Sequence, residues 1–137
     1  MKSRKTILSS IIALALALVI ISCGLVVQDV GSVRQIFFPM VTAIVVSSDS
    51  MEEWERISFN DQNDLTFDSI FWNKAITNDA NSAGDILLRV KDINGDIVVD
   101  EFQITPGKST KLNGLKNGVK YFFEIKAEQG RFFINAT

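Results

Sequence analysis

Val119-Lys120-Tyr121-Phe122-Phe123-Glu124-Ile125-Lys126-Ala127 is the stretch on which the fold class turns. Tyr121, Phe123, Ile125 and Ala127 are apolar and fall on alternate positions, with Lys120, Glu124 and Lys126 between them. A period of two sends alternate side chains to opposite faces of an extended strand. One face is expected to pack inward and the other to meet water, the pattern of an antiparallel sheet. Phe122 interrupts the charged face and is therefore a candidate contact for a partner.

Outward from this strand, short β-like runs alternate with turn signals. Residues 86–93 and 97–104 read as strands joined by Asn94-Gly95, a dipeptide that favours a tight type I′ hairpin turn. Pro106-Gly107, Lys116-Asn117-Gly118 and Gln129-Gly130 mark further turns. Residues 56–59, 65–72, 109–112 and 131–135 read as the remaining strands. In 65–72, Leu65, Phe67 and Ser69 share one face and Ile70 and Trp72 the other. Phe132 and Phe133 are adjacent and must point to opposite faces, so both join Phe122 as candidate partner-contact aromatics. Residues 78–84 read as a polar loop. No convincing amphipathic helix follows residue 55. The expectation is all-β: a single small antiparallel β-sandwich of about seven strands.

The segment Leu112-Asn113-Gly114-Leu115-Lys116-Asn117-Gly118-Val119-Lys120-Tyr121, continued through Ala127, resembles the E–F corner and F strand of fibronectin type III and immunoglobulin-like domains. That family shows Leu, two residues, Leu, two residues, Gly, two residues, Tyr, and then alternating apolar residues. The resemblance implies a tyrosine corner at Tyr121, with Leu115 and Gly118 as its companions and Leu112 plugging the core. It covers about 25 residues counting Gly130. Trp72 stands as a candidate for the family's B-strand Trp. A sandwich of this kind implies no function by itself.

The N-terminus points to a compartment. Lys2, Arg4 and Lys5 precede an uncharged, Leu/Ile/Val/Ala-rich run over residues 7–21, followed by Ser22-Cys23-Gly24. A basic head and an apolar run form an export or membrane signal, with the positive end retained in the cytoplasm. Three readings are open. Ile20-Ile21-Ser22-Cys23 resembles the lipobox of bacterial lipoproteins, which implies a diacylglyceryl group on the Cys23 sulfur and cleavage just before it. The apolar character continues through Gly24-Leu25-Val26-Val27, so residues 7–27 are also long enough for an uncleaved membrane anchor. The third reading is ordinary signal-peptide cleavage after Gly24. All three place the C-terminal domain outside the cytoplasm, on the extracytoplasmic face of the cell membrane.

Residues 36–46 are almost wholly nonpolar. The β-branched content of 41–46 suits a buried strand with Pro39 at its start. The alternative is a continuation of the membrane helix kinked at Pro39, as in type IV-like pilins, although the basic head lacks the usual Gly or Ala of the pilin leader. The expected organisation is residues 1–23 as signal or anchor, 24–54 as apolar segment and linker, and 55–137 as the sandwich.

Composition narrows the function classes. The chain has 137 residues, and beyond the first 23 it carries 11 Lys/Arg against 16 Asp/Glu. That balance argues against nucleic acid, which calls for a basic stripe. There is one Cys and no His. An internal disulfide, the Ser-His-Asp and Cys-His mechanisms and His-based metal sites are thereby excluded. Asp92-Ile93-Asn94-Gly95-Asp96 has the opening of a calcium loop, but position 12 is Gln103 and the flanks read as strands, so a hairpin turn is the better account. Asp61, Asn63, Asp64, Asn78, Asp79 and Asn81 read as turn residues rather than ligands. Asp100 and Glu101 are adjacent on a strand and diverge, which denies them the shared cleft a glycosidase pair requires. No metal and no cofactor are expected. The function expected is that of a non-enzymatic, membrane-tethered binding or structural module of the cell envelope, with a protein or glycan partner. The alternative is a signal-anchored, pilin-like subunit of a surface filament or envelope complex.

Overall fold

The structure, a computed structural model, describes residues 31–137. A seven-residue helix, Gly31–Phe37, belongs to an N-terminal unit. The compact unit that follows spans Phe38–Thr137. Cys23 and the apolar run 7–27 lie outside the described residues. No helix among those described is long and apolar enough to cross a membrane.

The compact unit is all-β, with nine strands among the described residues: β1 (Val41–Ser47), β2 (Glu55–Arg56), β3 (Leu65–Thr66), β4 (Ala75–Asn78), β5 (Ile86–Lys91), β6 (Ile97–Ile104), β7 (Lys108–Lys111), β8 (Lys120–Ala127) and β9 (Gly130–Ala136). They form two antiparallel sheets. One has four strands in the order β1-β9-β4-β7; the other has the order β2-β8-β5-β6, with β3 also on β8. Ala43, Ile76, Phe132, Ile134 and Ala136 of the first sheet share one core with Ile86, Leu88, Val90, Ile104, Tyr121, Phe123 and Ile125 of the second. β4, β5 and β9 bury every second residue, which is the period-two pattern at work. Ile57, Phe59, Leu65, Phe67, Leu112 and Leu115 close the core's ends. Phe59 packs edge-on against Phe123, ring centroids 5.4 Å apart, a favoured aromatic geometry.

Several expectations change. The boundary at residue 55 falls inside the domain, because β1 pairs with the whole of β9, from Val41↔Ala136 to Ser47↔Gly130. The open choice for 41–46 thus resolves as strand. β4 was hidden in Ala75-Ile76-Thr77-Asn78, a short run ending in a polar residue. Its bonds to β7 and β9 are made far away in sequence. The run 65–72 contributes only two strand residues before the chain turns at Ser69 to Phe71. Leu65 and Phe67 are buried as the alternation requires, while Ile70 is exposed.

Turn chemistry also sorts differently. Asn60 and Asp61 both have positive φ, 48° and 64°, and Phe59 and Gln62 exchange two backbone hydrogen bonds across them. That is the type I′ geometry. At Asn94-Gly95 only Gly95 has positive φ, 82°. The Asp92 carboxylate accepts the N–H groups of Asn94 (2.9 Å) and Asp96 (3.0 Å) and holds a wider five-residue connection. A side-chain acceptor at the first loop position thus overrides the two-residue preference of Asn-Gly.

Candidate functional site

The outer face of the five-stranded sheet gathers cations over aromatic rings. Met51 N–H donates to Ala127 O and Ile57 N–H to Phe123 O, which lays residues 51–57 along β8 and brings Trp54 and Arg56 onto this face. In register, Glu124 lies between Arg56 of β2 and Arg89 of β5. Arg89 Nε donates to Glu124 Oε1 at 2.7 Å, and Lys91 Nζ lies 3.1 Å from the same oxygen. The Arg89 guanidinium sits 4.4 Å above the Trp54 ring, with Lys126 Nζ at 5.5 Å. Arg56 covers Phe122 at 4.2 Å. Arg56, Arg89, Lys91 and Lys126 therefore gather with the Glu124 carboxylate on one face of an otherwise acidic domain.

Glu124 is nearly buried. Burial pushes its pKa up, but hydrogen bonds from Arg89 and Lys91, and their charges, outweigh that and hold it below its ordinary value. The even positions of β8 were expected to meet water. Instead Phe122 and Glu124 are sheltered by long side chains from β2 and β5 that lie flat on the sheet, a use of Lys and Arg stems that sequence periodicity does not reveal.

The candidate aromatics separate. Phe122 lies on the outer face beneath Arg56. Phe133 lies on the outer face of the other sheet, opposite Ile44. Phe132 is 1% exposed and belongs to the core, so its expected role as a partner contact is withdrawn. The parity of β9 decides this, because Phe132, Ile134 and Ala136 all point inward.

At the corner, the Tyr121 hydroxyl accepts the Lys116 backbone N–H at 2.8 Å. Tyr121 and Leu115 are buried, and Gly118, with φ of 76°, donates its N–H to Phe67 O. Trp72 packs edge-on against Phe67, centroids 5.3 Å apart, and its Nε1–H donates to Asp68. It lies beyond β3, just after the turn at Ser69 to Phe71, rather than on a strand.

The oxygen-rich loops do not converge. The Asn78 side chain is wholly buried, and its amide donates to Gly84 O and Ile104 O, both at 3.0 Å. Asp79 Oδ1 is occupied by the backbone and side-chain N–H groups of Asn81. Among the described residues no group of three or more acidic, His or Cys side chains is placed to hold a metal. A concavity of about 390 Å³ is bordered by Met51, Asp85, Gln103, Lys126 and Glu128.

Comparison of the chain with protein-family models, curated proteins and solved structures returns no match.

Proposed function

We propose that this protein is a membrane-tethered β-sandwich displayed on the extracytoplasmic face of the cell membrane, a non-enzymatic binding or structural module of the envelope. The observation that carries the reading is the order of the chain: a basic head, an apolar run, Cys23 in a lipobox-like context, and then a compact β domain. Cys23 is the lipid-bearing residue in this reading. The outer face built on Trp54, Arg56, Arg89, Phe122 and Lys126 is the binding surface. Flat aromatic rings with cations above them suit acidic groups on a protein or glycan partner.

The fibronectin III-like reading of the sandwich rests on the corner. The bond from Lys116 N–H to the Tyr121 hydroxyl supports it. The last strand departs from it: immunoglobulin-type sandwiches keep strands F and G in one sheet, whereas β8 and β9 lie in different sheets here.

A second reading, an uncleaved anchor in a pilin-like filament or envelope complex, is favoured by the apolar continuation Gly24-Leu25-Val26-Val27. The intact mass of the protein extracted from its native membrane separates the two. The expected mass is that of residues 23–137 plus a diacylglyceryl group. An unmodified chain retaining Met1 would remove Cys23 as an anchor and leave the apolar run itself as the tether.

A further inference from the structure

The four-stranded sheet ends in an edge unlike the others. Among the described residues β1 pairs only with β9, and its seven residues, Val41–Ser47, carry no charge. The remaining edges are each blunted. β6 carries Asp100 and Glu101, β7 carries Lys108 and Lys111, and β2 and β3 are two residues long. Charged or very short edge strands are how sheets avoid pairing with another chain. β1 has neither protection, and its pairing with β9 runs without a bulge.

The backbone groups available on that edge can be identified. Residues of an antiparallel ladder alternate between pairs that exchange both hydrogen bonds and pairs that exchange none. The Thr42 carbonyl accepts the Asn60 N–H from outside the sheet. Thr42 therefore points its polar groups away from β9, and so do Ile44 and Val46. Asn60 caps the edge at Thr42, and among the described residues no backbone group bonds Ile44 or Val46 from outside the sheet. Their side chains are 62% and 65% exposed on the outer face, beside Phe133.

We infer that β1 is a self-association edge, taking β1 of a second copy of this chain in antiparallel register. The occupant is a second copy because the edge complements itself. With Val45 opposite Val45, Ile44 of each copy faces Val46 of the other on the outer face, and no charge meets a like charge. The pairing closes about four backbone hydrogen bonds and joins two four-stranded sheets into one continuous sheet. A contact this short falls below the roughly 1,200 Å² of a stable soluble interface. The inference therefore rests on the membrane-tethered reading, in which confinement to a surface raises the effective concentration.

The test uses the full chain in phosphatidylcholine vesicles, with a benzophenone photo-cross-linking residue at position 44 or, for comparison, at exposed position 97 on β6. The expected result is a two-chain product from position 44, about tenfold above that from position 97. Val46→Lys adds charge to the edge, and Val46→Pro removes an N–H that β9 does not use. Each is expected to lower the position-44 product about tenfold, Val46→Pro through the loss of one or two hydrogen bonds and Val46→Lys through a charge set in an uncharged seam. Thermal unfolding by circular dichroism, unchanged in Val46→Pro, ties the loss to the edge. Equal yields at 44 and 97, or a position-44 yield indifferent to both Val46 variants, would overturn the inference. Alkaline carbonate extraction of the same vesicles reads the tether separately. A chain stripped from the vesicles that still cross-links at 44 sinks the tether and leaves the edge pairing standing.

Discussion

Two side chains tie the five-stranded sheet to its surroundings, and each makes a testable contribution. Tyr121 is buried, and its hydroxyl is the acceptor for Lys116 N–H. Tyr121→Phe keeps the ring in the core and leaves that N–H without its partner. The expected cost is about 1–2 kcal/mol, read as a lower urea midpoint with an unchanged m-value. Glu124 acts through charge. Its carboxyl is held below the ordinary value of 4.5 by Arg89 and Lys91, against the opposing effect of burial. A carboxyl with a depressed folded pKa contributes stability that is fully present above its unfolded pKa and is lost as pH falls through the folded one. Stability is therefore expected to decline from about pH 4.5 downward, and Glu124→Gln removes that share of the decline. At pH 7 the substitution is expected to cost roughly 1 kcal/mol, since the pair is partly solvated. Denaturant melts of the two chains across pH check both points; parallel pH curves would count against the carboxylate.

At the scale of the element, strand parity decides what neighbouring aromatics do. Phe132 and Phe133 are chemically identical neighbours on β9, yet only Phe132 enters the core. Phe132→Ala is expected to cost about 3–5 kcal/mol through lost burial and a cavity, and Phe133→Ala under about 1 kcal/mol. Thermal or urea unfolding of the two variants distinguishes them; similar losses would overturn the register of β9 against β1. The same strand shows why a glycine ends the β8–β9 turn. Gly130 has φ of 146°, and a Cβ there would fall 2.3 Å from the Ala83 Cβ. The Gln129-Gly130 turn signal was legible as composition, while the reason for Gly130 lies in a loop some 50 residues earlier that packs against it.

Over the whole molecule, the two sheets divide the labour. Inward faces of both supply one apolar core. The outer face of the five-stranded sheet is cationic and aromatic, whereas the outer face of the other presents Ile44 and Val46 at its β1 edge, with Phe133 of β9 beside them. In the proposed reading, the localised basic face of this net acidic domain is the side on which an acidic partner docks. In the tethered reading, the chain enters the domain through β1, so the edge open to a second copy is also the part nearest the anchor in sequence. In the same reading, the mass of the native protein reports what tethers the whole chain.

Local pattern carried the class of fold. Alternation in 119–127 marked the inward face of β8, and Pro106-Gly107 and Lys116-Asn117-Gly118 marked turns whose glycines have positive φ. The spacing of Leu112, Leu115, Gly118 and Tyr121 marked the corner. These signals are local, since each depends on the backbone preferences and side-chain period of a few adjacent residues. β4 was not legible, nor was the entry of β1 into the sheet, the burial of Phe132 over Phe133 or the shelter of Glu124. Each depends on a partner strand far away in sequence, and register across a sheet is set by packing rather than by the residues of one strand. The cation–aromatic face has the same origin: Trp54, Arg89 and Lys126 are scattered along the chain, and only the pairing of β2, β8 and β5 makes them neighbours.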